Sequence, residues 1–162
     1  MDMRKVALIT DGWRRLFTYA LPAGILQRIR ETGEDVNLYI FNSTGNWSRD
    51  AGYNKAEYNI YNLPNLSDFD GIILELNNIS SPAVLADVIS NAKRSGRPVV
   101  SIANELGDFY YVGIDNYSAM KQVIAHLHEV HDCKKFWLLV GAQDNYAVSY
   151  THLRAHETSL HL

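Results

Sequence analysis

Short apolar runs alternate with segments of helical period along most of this chain, and this alternation limits its possible folds more than any other feature. The first run, 6–9 (Val-Ala-Leu-Ile), is followed by apolar residues at helical spacing from Leu21 to Ile29, and Gly33 is placed to end that helix. An unbroken apolar run indicates a strand that is buried on both faces. The sequence therefore predicts βαβ units and an α/β fold with an open, doubly wound, mainly parallel sheet.

Later segments repeat this alternation as far as residue 140. Further strands are predicted at 36–41, 72–74, 98–102, 110–114 and 136–140. Ser81 and Pro82 fit the N-cap and the first turn of a helix, and Gly96 is placed to stop it. The inner face of this helix is predicted to consist of Val84, Leu85, Val88, Ile89 and Ala92.

The other helical segments are less regular. Pro22 fits the first helix if it falls in the first turn. The segment 53–63 stays ambiguous because its aromatic and asparagine content weakens a helix prediction, and Pro64 closes it. Asp115 or Asn116 is placed to cap a last helix. The predicted apolar stripe of that helix is Met120, Val123, Ile124 and Leu127.

Composition and charge exclude several classes of protein. With 162 residues, 47% of them hydrophobic, the chain has the size and balance of one ordinary soluble domain. Its 15 basic and 18 acidic residues give a net charge of −3, so we expect no direct binding to nucleic acid. The first residues contain neither a secretory core nor a membrane span, so we expect a cytoplasmic protein. Cys133 is alone, and we expect no disulfide and no nucleophile from it.

Motifs for nucleotide binding or covalent catalysis do not occur in the sequence. The loop 10–15 (Thr-Asp-Gly-Trp-Arg-Arg) is not a G-x-G-x-x-G, and there is neither a P-loop nor a G-x-S-x-G elbow. A phosphoacceptor receiver is a weak alternative, because no acidic pair follows the first strand. Arg14 and Arg15 are most simply a solvated pair. We therefore expect no enzyme activity and no cofactor.

Polar and aromatic side chains follow the predicted strands at their carboxyl ends, where open α/β sheets place ligands. Carboxylates and amides hydrogen-bond to ligand hydroxyls, and aromatic rings stack on a sugar or a base, so the pattern predicts a pocket for a small polar ligand. The candidate ligand-binding residues are Asp11, Trp13, Phe17, Tyr19, Asn42, Asn77, Asn104 and Asp115, with Ser43, Glu75, Asn78, Glu105 and Asn116 at the same strand ends. The alternative, that such residues cap helices and hold turns, is equally open and is favoured for Asp115.

The histidines do not follow the spacing of a metal site. His126 and His128 do not share a helical face. Glu157 and His161 are separated by three residues, whereas the zinc-protease motif needs two. We expect no bound metal. The last segment, 148–162, has no hydrophobic period and resembles the peptide encoded by a translated sequencing adapter.

The order of the segments resembles that of the LacI/GalR-like transcriptional regulators and of the type I periplasmic binding proteins. The segment 69–74 (Phe-Asp-Gly-Ile-Ile-Leu) is similar to the DGIIL strand of that family, and 95–100 (Ser-Gly-Arg-Pro-Val-Val) to its G-x-P-V-V strand entry. The segment 112–116 (Val-Gly-Ile-Asp-Asn) looks like the crossing into a second lobe. Asp132 stands where the family usually has a helix-ending glycine, a position that Asp tolerates better than most residues.

The resemblance implies a Rossmann-like first lobe at 4–114, the start of an incomplete second lobe at 115–147 and a non-native tail at 148–162. It implies a non-catalytic, cytoplasmic sensor of a small, sugar-like effector in a transcriptional regulator. Such a regulator is a homodimer at full length, does not bind a membrane and contacts DNA only through a domain absent from this chain. The alternative is the sensory domain of a signalling enzyme such as a diguanylate cyclase, because the chain starts at the first strand without a DNA-binding headpiece.

Overall fold

The structure, a computed structural model, describes residues 3–12, 16–44, 48–79 and 81–137. The chain divides into two compact units, Met1–Val112 and Gly113–Leu162. The predicted tail at 148–162 lies outside the described residues, as do Trp13, Arg14 and Arg15.

The first unit is built on a sheet of five parallel strands in the order β2-β1-β3-β4-β5. The strands are β1 (Arg4–Asp11), β2 (Val36–Ser43), β3 (Gly71–Glu75), β4 (Val99–Ile102) and β5 (Tyr110–Val112). The predicted α/β class and parallel sheet are confirmed. Each of the first five predicted strands is present, although β1 and β2 extend two residues further toward their carboxyl ends than the apolar runs indicate.

Helices connect the strands. They are α1 (Leu16–Thr32), α2 (Ala51–Glu57), two short 3₁₀ turns (Tyr58–Asn62 and Leu66–Asp68), α3 (Pro82–Arg94) and α4 (Asn116–Glu129). The predicted start of α3 is confirmed: the Ser81 hydroxyl accepts a hydrogen bond from the Val84 N–H at 3.5 Å, and Pro82 is the first helical residue. Gly33 follows α1 with φ +66°, a conformation that ends a helix and favours glycine.

Two helical predictions need correction. Because α1 starts at Leu16, Pro22 lies inside the helix and not in its first turn, so one backbone hydrogen bond, to the Thr18 carbonyl, is lost there. The ambiguous segment 53–63 falls in α2 and the first 3₁₀ turn. The signal for α2 lies upstream of that segment, where Asp50 accepts hydrogen bonds from the N–H groups of Gly52 and Tyr53 at 2.8 and 3.2 Å.

The main hydrophobic cluster lies on one face of the sheet, and Leu8 is buried on the other. Ala7 of β1 pairs with Ile72 of β3, and Ile9 with Leu74, and all four are at most 1% exposed. Side chains from α3 and from the 3₁₀ turns pack against the same face, including the predicted inner face of α3. Phe69 adds edge-to-face contacts with Tyr39 and Phe41 of β2, with ring centroids 5.5 and 6.0 Å apart. This packing fixes the position at which each strand ends.

In the second unit, the Asp115 carboxylate caps α4 by accepting from the Ser118 N–H at 3.0 Å. The predicted stripe of α4 contains no buried residue within the described part of the chain: Val123 is 52% exposed, and Met120, Ile124 and Leu127 are half-buried. Asp132 has φ +50°, which confirms the expected left-handed conformation. Phe136 and Trp137 are not in a strand, and the rest of the predicted sixth strand, 138–140, lies outside the described residues. Among the residues that the structure describes, no helix is long and apolar enough to span a membrane.

The packing makes a direct prediction for stability. Leu74 is completely buried, so Leu74→Ala should lower the free energy of unfolding by about 2–5 kcal/mol through lost burial and the cavity that remains. Leu63 is 72% exposed, and Leu63→Ala should change that free energy by less than about 0.5 kcal/mol. Urea unfolding of both variants measures the difference. Equal effects would contradict a core centred on β3.

Candidate functional site

Parallel pairing brings the carboxyl ends of β1, β2 and β3 to the same edge of the sheet. Thr10 of β1 pairs with Asn42 on one side and with Glu75 on the other. The next residue, Asp11, pairs with Ser43. Partners in a parallel ladder share a face, so Thr10, Asn42 and Glu75 lie on one face, and Asp11 and Ser43 on the other. Polar side chains therefore line both faces of one edge.

Asp11 is held in a buried network on the core face. Its side chain is fully buried, and the Ser43 hydroxyl donates to its Oδ1 at 2.8 Å. The Tyr61 hydroxyl donates to the Thr10 carbonyl at 2.9 Å. Burial raises the pKa of Tyr61, and the nearby Asp11 carboxylate raises it further, so Tyr61 stays a donor at neutral pH. The Asn78 amide donates to the Asp11 carbonyl at 3.0 Å, which ties the loop after β3 to the end of β1.

Glu75 is the buried carboxyl group of the opposite face. It is 1% exposed, and the Thr10 hydroxyl donates to its Oε2 at 2.9 Å. Burial raises the pKa of Glu75, and the hydrogen bond from Thr10 and the amide of Asn77 beside it offset part of that rise. No ion pair involving Glu75 is found among the described residues. Its negative charge is thus balanced only by neutral hydrogen-bonding groups in this part of the chain.

Three asparagines at the same edge have a buried amide oxygen without a donor. They are Asn42 on β2, Asn77 after β3 and Asn104 after β4, and none of their Oδ1 atoms has a hydrogen-bond partner within the described part of the chain. A buried acceptor that lacks a donor costs about 1–3 kcal/mol, so native structures supply one from protein, water or ligand. A hydrogen-bond donor from a ligand or from water would therefore stabilise this edge.

The turn after β4 is strained. Ala103 has φ +65°, in the left-handed region where a Cβ atom is unfavourable. Two hydrogen bonds hold this turn: the Ala103 N–H donates to the Val112 carbonyl at 2.8 Å, and the Ser101 hydroxyl to the Asn104 carbonyl at 2.6 Å. Asn104 is left only 8% exposed by this arrangement. Strain of this kind is concentrated at functional sites, where the surrounding structure over-determines it.

Four of the predicted ligand-binding residues, Asp11, Asn42, Asn77 and Asn104, therefore lie at strand ends along this edge. Trp13 lies outside the described residues, and so does the side chain of Phe17. Tyr19 is on α1 and 61% exposed. Asp115 belongs to the second unit, where it caps α4, as its alternative interpretation expected. Ligand contact by any of them stays a prediction.

Two residues of the site, Thr10 and Tyr61, are not among the sequence candidates. Thr10 directly precedes Asp11, and the alternation of side chains along a strand is the signal that would have placed it beside Glu75 on the other face. Tyr61 had no such signal. It lies in a 3₁₀ turn within the ambiguous segment, and its partner Thr10 is 51 residues away.

The raised pKa of Glu75 predicts a pH dependence of stability. The folded state keeps a proton on this carboxyl above the ordinary value of 4.5, where the unfolded chain has lost it. The contribution of the Glu75 proton to the stability of the folded state is therefore complete below that value, and it is lost as the pH rises through the raised pKa. Glu75→Gln should gain stability relative to the wild type as the pH increases from about 4 to about 8.

Urea unfolding at a series of pH values measures this difference, and Glu105→Gln, which changes an exposed carboxylate, is the matched control. A difference between Glu75→Gln and the wild type that stays constant with pH would show that Glu75 is not perturbed.

The strain at Ala103 predicts that glycine at this position raises the stability of the folded protein. Ala103→Gly removes the Cβ clash but adds freedom to the unfolded chain, so the free energy of unfolding should rise by about 0.5–1 kcal/mol. Ala7→Gly, inside β1, should lower it because a strand interior gains nothing from glycine. Thermal or urea unfolding compares the two. A loss of stability in Ala103→Gly would show that the turn does not carry strain.

Comparison with known proteins supports the fold. No protein-family model and no curated protein matches this chain. Among solved structures, the glucose-galactose binding protein GanP of Geobacillus stearothermophilus is 19% identical with a TM-score of 0.67, covering 99% of this chain and 55% of that chain. The transcription regulator CcpA of Lactococcus lactis is 18% identical with a TM-score of 0.64, covering 98% and 53%. The trehalose repressor of Escherichia coli is 17% identical with a TM-score of 0.60, covering 99% and 55%.

The chain thus has the α/β fold of the type I periplasmic binding proteins, which its solved neighbours share. It spans about half the length of each of these three structures. The neighbours include binding proteins for sugars and transcriptional regulators alike. At these identities the likeness concerns the fold and not the ligand.

Proposed function

We propose that this chain is part of a non-catalytic domain that senses a small polar ligand of the sugar type. The observation that carries the proposal is the row of amide oxygens of Asn42, Asn77 and Asn104, which are buried at one sheet edge and have no donor among the described residues. Hydroxyl groups of a sugar are suitable donors for such oxygens. The carboxyl edge of a parallel α/β sheet is also where this class of fold binds its ligands.

We further propose that the sensor belongs to a cytoplasmic transcriptional regulator. Two of the solved neighbours, CcpA and the trehalose repressor, are regulators, which supports this role, and others, such as GanP, are binding proteins for sugars. In this proposal the full-length protein is a homodimer, and DNA is contacted by a domain outside this chain. The region from Asp115 to residue 147 is the start of a second lobe, as the sequence resemblance implies.

The proposed mechanism is a shift between open and closed states. The edge described above forms part of the ligand site, and the proposed ligand binds one of the two states more tightly. A ligand shifts such an equilibrium only by its differential affinity for the two states. The contacts at the ends of β1, β2 and β3 are rigidly held, because they belong to strands paired along their whole length. In this mechanism they keep the same geometry in both states.

Titration of the full-length protein tests this function. A panel of neutral mono- and disaccharides, followed by calorimetry, should contain at least one saturable ligand. Asn42→Ala should weaken its binding by about tenfold, because one hydrogen bond to a buried acceptor is lost. Asn37→Ala is the matched control, since Asn37 lies on the same strand but is exposed and pairs with Lys5 near the opposite edge.

Equal losses of affinity in Asn42→Ala and Asn37→Ala would contradict a binding site at this edge. The absence of any saccharide ligand would contradict the function.

A further inference from the structure

The carboxyl ends of the described strands β1 to β4 carry acidic residues and no basic residue. The four segments 10–12, 42–44, 75–79 and 102–107 contain Asp11, Glu75 and Glu105, and none of them contains Lys, Arg or His. At the opposite edge of the sheet, Arg97 donates to the Ser67 carbonyl at 3.0 Å through its Nε. Lys93 on α3 pairs there with Asp108 at 3.4 Å.

Among the described residues, buried acceptors without a donor are concentrated at the same edge. Asn104 is an independent sign of a ligand, because it is only 8% exposed and its Oδ1 has no donor within the described part of the chain. The amide of Asn77 lies beside the Glu75 carboxylate. Its nitrogen is the end that a carboxylate attracts, so the oxygen is the end left for a ligand. The three buried amide oxygens of Asn42, Asn77 and Asn104 are acceptors, and they need donors opposite them.

We propose that Glu75 determines the specificity of this edge, and that the ligand is an unphosphorylated polyol or amino polyol rather than a sugar phosphate or a sugar acid. This inference rests on the proposed function and narrows its ligand class. A hydroxyl or an ammonium group donates to the asparagine oxygens, and an ammonium group also offsets the charge of Glu75. A phosphate group offers mainly acceptors and brings a second negative charge close to a buried carboxylate, where screening by solvent is weak.

Series of ligands that share one skeleton test the inference in the full-length protein at neutral pH. Suitable series are glucose, glucosamine and glucose 6-phosphate; galactose, galactosamine and galactose 6-phosphate; and ribose with ribose 5-phosphate. In whichever series binds, calorimetry should show the phosphate at least tenfold weaker than the neutral sugar. The amine should bind at least as tightly as the neutral sugar. Glu75→Gln should reduce both differences, whereas Glu34→Gln, which changes an exposed carboxylate before β2 at the opposite edge, should leave them unchanged.

Asn77→Ala serves as a second variant if Glu75→Gln does not fold. It should weaken every ligand of a series that donates to the Asn77 oxygen, the phosphate included, because a sugar phosphate keeps its ring hydroxyls. Unchanged binding of the neutral sugar and the amine would overturn the inference. Arg14 and Arg15 lie outside the described residues, and Arg14→Ala combined with Arg15→Ala shows whether they bind a phosphate. Phosphate binding that this double variant abolishes would overturn the inference.

The remaining outcomes separate a failure of this inference from a failure of the proposed function. A phosphate that binds as tightly as its neutral sugar, or an unchanged preference in Glu75→Gln, would overturn this inference while the proposed function stands. If no member of any series binds, the proposed function fails and the inference fails with it.

Discussion

Parallel pairing of β1 with both β2 and β3 is the constraint on which the rest of this structure depends. It places Ile9 beside Leu74 in the core and, one step further along the strands, Thr10 beside Glu75 at the edge. One register therefore determines both the packing and the polar arrangement. A slip of one residue would exchange the faces and move apolar side chains such as that of Ile9 out of the core.

The buried polar groups and the strained turn at this edge cost folding free energy, and this cost points to a function of the edge. Asp11 and Glu75 are almost completely buried, and Ala103 is held in a left-handed conformation. Hydrogen bonds from Ser43 and Thr10 offset part of the desolvation of the two carboxylates. A chain under selection for stability alone would place apolar residues here, as it does at Ile9 and Leu74. The proposed sensing of a polar ligand gives a reason for the difference.

Local signals in the sequence predicted a large part of the fold. The apolar run of β3 and the Ser81-Pro82 start of α3 are short-range features, and both are present in the structure. The site was predicted less completely. The sequence indicated the shared edge of the parallel strands, although β1 and β2 end two residues later than their apolar runs. Tyr61 reaches Thr10 across 51 residues, and no local pattern encodes that contact. Pro22 was misplaced because apolar spacing indicates a helical face and not the first residue of the helix.

Chemical-shift mapping of the full-length protein by NMR, on addition of the neutral sugar that binds best, tests the central claim most directly. The largest chemical-shift changes should fall on the backbone and side-chain amides of residues 10–12, 42–44, 75–79 and 102–105. Changes centred on the opposite edge of the sheet, near Ser67 and Arg97, would contradict it.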